Sequence, residues 1–162
     1  MEKTLTFAAL PKTLAELQAM PESALTDPFA TAALTVAVLC RYGEDRNACV
    51  EMLNYLRGPR PLSPFEVQFL RDRLGGKGYK PFSFFAGAIP INEYTPNLPY
   101  TITVRANPVN PGGNDYRNML LVSGGADSPR PITLRRRGEQ WFLWEQMLLS
   151  DIRVPKSQDP WA

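Results

Sequence analysis

The chain has 162 residues, the size of one domain, and 44% of them are hydrophobic, enough for a buried core. Charge is nearly balanced, 18 Lys+Arg against 16 Asp+Glu, and neither half of the chain is strongly basic or acidic, so bulk electrostatics give no basis for nucleic-acid binding. With no histidine and two cysteines, the chain has no imidazole base, no Ser-His or Cys-His nucleophile system, and too few thiolates for a four-Cys zinc site or an iron–sulfur cluster.

In chain order, Met1 to Leu14 carries a short apolar stretch but not the layout of a signal peptide. Phe29 to Cys40, the longest apolar run, is too short to cross a bilayer and contains Thr31 and Thr35. The expectation is a cytoplasmic chain with no membrane span, in which Cys40 and Cys49 stay reduced and buried. Helices are expected at about 13–20, 28–42, 45–57 and 64–74. Thr13 with Glu16 and Ser63 with Glu66 read as capping boxes, Asp27 and Ser63 are each followed by Pro at the first helical position, and Gly43, Gly58 and Gly75 sit at helix ends. Leu14, Leu17, Leu34, Val38, Met52, Leu56, Phe65, Phe69, Leu70 and Leu74 recur at three- and four-residue spacing, the mark of apolar stripes facing a core.

After Gly78 the texture changes. Tyr100, Ile102 and Val104 alternate with Thr101, Thr103 and Arg105 as in a half-buried strand, and Asn107 to Asn114 is a Pro- and Gly-rich loop. Met119 to Val122 is apolar throughout and predicts a central strand covered on both faces. Ser123 to Pro131 is a connection, followed by strands at about 131–137 and 140–145; Phe82 to Ala88 and Met147 to Val154 are further strand candidates. The fold expected is α+β, one domain over 1–162, with about four N-terminal helices (about 1–78) packed on one face of a C-terminal antiparallel β-meander (79–162). A curved, cone-like sheet of the nuclear-transport-factor-2 type shares this order.

Arg137-Gly138-Glu139-Gln140 reads as a two-residue hairpin turn, which sets Arg136 opposite Trp141, Leu134 opposite Leu143, Arg135 opposite Phe142 and Thr133 opposite Trp144. Ile132, Leu134, Arg136, Trp141 and Leu143 then share one face, and Thr133, Arg135, Arg137, Phe142 and Trp144 the other. The second face, with Arg105, is a candidate surface for a partner protein or a small anionic or aromatic ligand. The plain alternative is that Pro-rich loops, or the tail from Pro155 to Ala162 with Trp161, fold over it. A homodimer through the aromatic face is a third arrangement beside the monomer.

Other signals are weaker. Gly75-Gly76-Lys77-Gly78 lacks the phosphate-loop signature and fits a helix end. Gly124, Gly125, Asp127 and Ser128 form a turn that could bind an anion through backbone amides. No Gly-x-Ser-x-Gly elbow is present, and no metal ligand set or cofactor signature is seen. Asp115, Asp127, Glu139, Glu145 and Asp151 are the acids of the sheet half, but no spacing selects a catalytic pair among them. A non-catalytic binding or interaction module is therefore the leading expectation. The alternative is a small-ligand-binding cone or carboxylate-dependent enzyme with a pocket between helices and sheet.

YKPFSFF from Tyr79, SGGADSPRPITLR from Ser123, WFLWEQ from Trp141, and DIRVP from Asp151 with the ending DPWA resemble a domain-of-unknown-function family from anaerobic Gram-positive bacteria. The resemblance covers about 60–162 best. It implies a bacterial origin and assigns no residue a role.

Overall fold

Alternating Thr and apolar residues make the first element, a strand β1 at Glu2–Phe7 that buries Leu5 and Phe7 and leaves Thr4 and Thr6 exposed. The structure, a computed structural model, describes residues 1–108 and 113–162, so part of the loop read at Asn107 to Asn114 lies outside the described residues. Helices follow at Leu14–Ala19 (α1), Pro28–Leu39 (α2), Arg46–Arg57 (α3), Pro64–Leu74 (α4) and Tyr79–Phe82 (α5). Strands β2 (Tyr100–Ala106), β3 (Tyr116–Leu121), β4 (Arg130–Arg137) and β5 (Gln140–Gln146) complete an antiparallel sheet in the order β1-β2-β3-β4-β5.

The α+β class is as expected, a helix falls on each of the four expected segments, with α1 only six residues long and α2 ending at Leu39, and the sheet is an open meander. Its first strand comes from the N-terminal part: Leu5 lies opposite Ile102, and the hydroxyls of Thr4 and Thr103 meet at 2.9 Å. The helix starts follow their caps. Asp45 accepts the Ala48 amide, Asp27 the Phe29 amide, and at Ser63 both halves of the capping box close with Glu66. At Thr13 the hydroxyl accepts the Glu16 amide.

Helix α2 is buried along its whole length from Ala30 to Leu39, so the expected apolar stripe is in fact an apolar cylinder. It lies between α3 and the sheet face formed by Leu5, Phe7, Ile102, Val104, Met119, Leu121, Ile132, Leu134, Trp141 and Leu143, all buried. Cross-strand partners share a face, and this one is dry.

Four expectations are corrected. Strand β3 is central, but Leu120 is half-buried and Val122 is exposed, so only one of its faces is covered. Phe82 to Ala88 is not a strand: α5 and the turns after it, which bury Phe84 and Phe85, occupy that stretch. Met147 to Val154 is irregular chain that inserts Leu148, Leu149 and Ile152 into the core, tied down by Lys80 Nζ donating to the Leu149 carbonyl at 2.8 Å. On α4, Leu70 and Leu74 take the core side, while Phe65 is 79% and Phe69 36% exposed.

Cys40 and Cys49 are free and buried. Burial, and then the neighbouring Cys49, raises Cys40 well above the usual thiol range; burial, and then Asp45, pushes Cys49 up to about 12. The reactive thiolate is therefore nearly absent at neutral pH. In the native protein neither thiol is expected to react with a disulfide reagent within minutes at pH 8, and both should react in denaturant. One fast equivalent without denaturant would show that the α2–α3 contact opens.

Candidate functional site

The hairpin keeps its expected register through Arg137/Gln140, Arg136/Trp141, Arg135/Phe142 and Leu134/Leu143. It departs at Thr133, which faces Glu145, because an irregularity between Thr133 and Leu134 leaves Trp144 as the extra residue on β5. Trp141 and Leu143 point to the helices, and Phe142 and Trp144 to the outer face, as the alternation requires.

What partly covers the outer aromatics is the Gly-Pro-Arg-Pro loop, residues 58–61, that ends α3. Gly58 has φ +62°, and a Cβ placed there would lie 2.4 Å from the Phe142 ring, so the glycine lets the ring pack on bare backbone. Two residues on, the Arg60 guanidinium sits 3.8 Å from the Trp144 ring centroid and also donates to the Trp144 carbonyl. From β4, the Arg135 guanidinium lies 4.5 Å from the same ring and 5.2 Å from Tyr116, whose ring meets Trp144 edge-on. The tail does not cover this face: Ser157 is tied to Glu93, and Trp161 is 93% exposed.

Loop and hairpin thus enclose a cleft of about 410 Å³ that gathers Arg57, Arg60, Arg135, Arg136 and Arg137 around Phe142 and Trp144. Arg57 pairs with Glu66 at 2.9 Å and Arg136 with Asp115 at 3.1 Å. Among the described residues no carboxylate pairs with Arg60, Arg135 or Arg137. Stacking on Trp144 restrains the guanidinium planes of Arg60 and Arg135, whose N–H edges match the oxygens of a carboxylate or phosphate.

The Arg57–Glu66 pair anchors the loop. Burial lowers the Arg57 pKa despite the pull of Glu66, and guanidinium basicity keeps it charged. Burial pushes Glu66 up, but the Ser63 amide, Arg57 and the Ser63 hydroxyl outweigh it and hold the carboxyl below its usual range.

Of the residues singled out from the sequence, Arg135, Arg137, Phe142 and Trp144 come together here, and Arg105 does not: it lies on β2 beside Glu2, 3.8 Å away. The turn at Gly124, Gly125, Asp127 and Ser128 is a separate place. Its Gly124 amide donates to the Ser83 carbonyl and its Gly125 amide to the Ser123 hydroxyl, while Asp127 pairs with Arg153, and Ser128 accepts from Arg130. Asp115, Asp127, Glu139, Glu145 and Asp151 are all exposed, and apolar side chains fill the layer between helices and sheet. Arg57, Pro59, Arg60 and Arg136 were not among the sequence candidates for the site; the one signal for the first three is that the stretch Arg57 to Lys80 holds six basic and two acidic residues.

A family model described as a domain of unknown function (DUF6935) matches residues 9–156, and the chain belongs to that family. No curated protein and no solved structure matches the chain.

Two outcomes test this geometry. Gly58→Ala brings both a left-handed backbone penalty and the Phe142 clash, and should cost about 1 to 3 kcal/mol in urea denaturation while changing Trp fluorescence. Glu66 has a depressed folded pKa, so its contribution is present above the unfolded value of about 4.3 and is lost as pH falls through the lower folded value. Glu66→Gln, which keeps the capping acceptor, should therefore lower stability at neutral pH and flatten the loss of stability toward acid, read from urea midpoints across that range.

Proposed function

We propose that this DUF6935 domain is a non-catalytic binding module that takes an anionic group, a carboxylate or phosphate of a partner protein or small ligand, in the cleft between the 58–61 loop and the β4–β5 hairpin. The carrying observation is the gathering of three guanidiniums, Arg60, Arg135 and Arg137, that no carboxylate pairs among the described residues, around Phe142 and Trp144. Arginines set this close repel one another unless a counter-charge is shared. Two oxygens of a carboxylate or phosphate satisfy them bidentately, with the Trp144 ring beside the group for any aromatic or apolar portion.

A cytoplasmic setting in a bacterial chain accords with the free, buried thiols and with the sequence motifs above. No helix among the described residues is long and apolar enough to cross a membrane.

Calorimetric titration of the full chain at low ionic strength with pyrophosphate, and separately with citrate, should show saturable binding that weakens as salt is added. Arg135 and Arg137 are exposed, so the double change to Ala should leave the melting temperature nearly unchanged and weaken binding about tenfold or more, the loss of charge-assisted hydrogen bonds. Absence of saturable binding for both anions would sink the proposal.

A further inference from the structure

The arginine cleft continues past Trp144. Arg57, Arg60 and Trp144 also border a second hollow, of about 450 Å³, between α4 and the outer edge of β5. Its floor is Leu53, Leu70 and Leu143, all buried; its rim carries Phe65 and Phe69 from α4 and Met147 from the chain leaving β5. Phe65 is 79%, Met147 59% and Phe69 36% exposed. One exposed apolar side chain is ordinary, but three around one hollow make a patch. The helix starts on the Ser63–Glu66 box and anchors through Leu70 and Leu74, while Phe69 lies under the Arg73 guanidinium and Phe65 stands in solvent.

The strand beside the hollow is an edge. At its start that edge is sealed: the Trp141 amide donates to the Leu25 carbonyl at 2.7 Å, and the Trp141 carbonyl accepts the Thr31 hydroxyl at 2.9 Å. In an antiparallel ladder Leu143, two residues on, turns its amide and carbonyl to the same side, at the wall of the hollow. Charge also changes along the groove. Arg60, Arg135 and Arg137 lie at one end, whereas at the other the wall carries Glu145, and Glu66 is already paired with Arg57.

We infer that the whole groove receives an extended peptide segment of a partner protein, with apolar side chains against Phe65, Phe69 and Met147 and acidic side chains against Arg60, Arg135 and Arg137. This rests on the anion-binding reading above and adds the chemistry of the partner. A free anion fills only the arginine end and leaves the apolar rim in water. A segment that carries both chemistries covers both, and an extended one can also use the strand edge. Between the sealed Trp141 and the Trp144 carbonyl held by Arg60, the edge presents Leu143, so the segment pairs with backbone there and is otherwise held through its side chains. The Glu145 wall disfavours acid at the apolar end, so the acids should cluster at one end of the segment instead of alternating along it.

The test is selection of a random decapeptide library displayed on phage against the full chain at low salt. Selected sequences should share an apolar pair with a cluster of two or more Asp or Glu to one side. A fluorescein-labelled copy of the commonest sequence should bind about tenfold more weakly to Phe65→Ser, Phe69→Ser and Arg135→Ala, with the melting temperature of Phe65→Ser unchanged. No enrichment, enrichment without acids, or affinity indifferent to Phe65 and Phe69 overturns the inference. Pyrophosphate separates the two readings: if it binds while no peptide is selected, the peptide groove fails alone, and if neither binds, both fail. A dimer seen by light scattering that Phe69→Ser dissociates would place a second copy in the groove and likewise overturn the partner peptide.

Discussion

Ten consecutive residues of α2, Ala30 to Leu39, are buried, and a helix apolar around its whole circumference is stable in water only when enclosed. Its four alanines, Ala30, Ala32, Ala33 and Ala37, let neighbouring layers approach closely. Its two hydroxyls are satisfied in the dry interior, Thr35 on the Thr31 carbonyl and Thr31 on the carbonyl of Trp141. That last bond reaches from the middle layer to the edge of the sheet. It holds β5 at its start, and with it the hairpin whose outer face carries the arginines.

Because the sheet has helices on one face only, its two faces follow different rules. The inner face is Leu, Phe, Ile, Val, Met and Trp; the outer face carries Thr, Asn and Arg with Leu120 and Val122 among them, and at the hairpin side Tyr116, Phe142 and Trp144. Phe142 and Trp144 are half-buried by a loop that comes around the edge of β5 from the helical layer, with Gly58 on Phe142 and Arg60 on Trp144. The cleft is therefore assembled from both halves of the chain. Neither the hairpin nor the loop contains it alone.

Much of this was legible in the sequence where local chemistry decides. Helix starts followed Asp27 and Ser63, and Gly138 set a hairpin register that holds for four pairs, because caps and turns involve few residues and fixed offsets. Legibility ended where distant chain competes. Thr4-Leu5-Thr6-Phe7 alternates as a strand should, but its partner lies far along the chain. Phe65 and Phe69 have helical spacing, yet spacing does not say which of two apolar sides Leu70 and Leu74 will claim. The arginines of the hairpin could be placed on one face by alternation; that Arg60 would join them could not, since a basic run gives no indication of what it faces.

The pairing of β1 with β2 joins Thr4 to Thr103 across 99 residues of chain, and helices α1 to α5 lie within that span. Closing a loop of this length costs entropy before any contact compensates for it, and a strand with no local partner waits unpaired while the intervening chain is made. During synthesis β1 lacks its strand partner until Tyr100 and Ile102 have left the ribosome, so its backbone pairing can form only late. Until then its unpaired backbone is a strand edge that a chaperone or the edge of another copy can pair with.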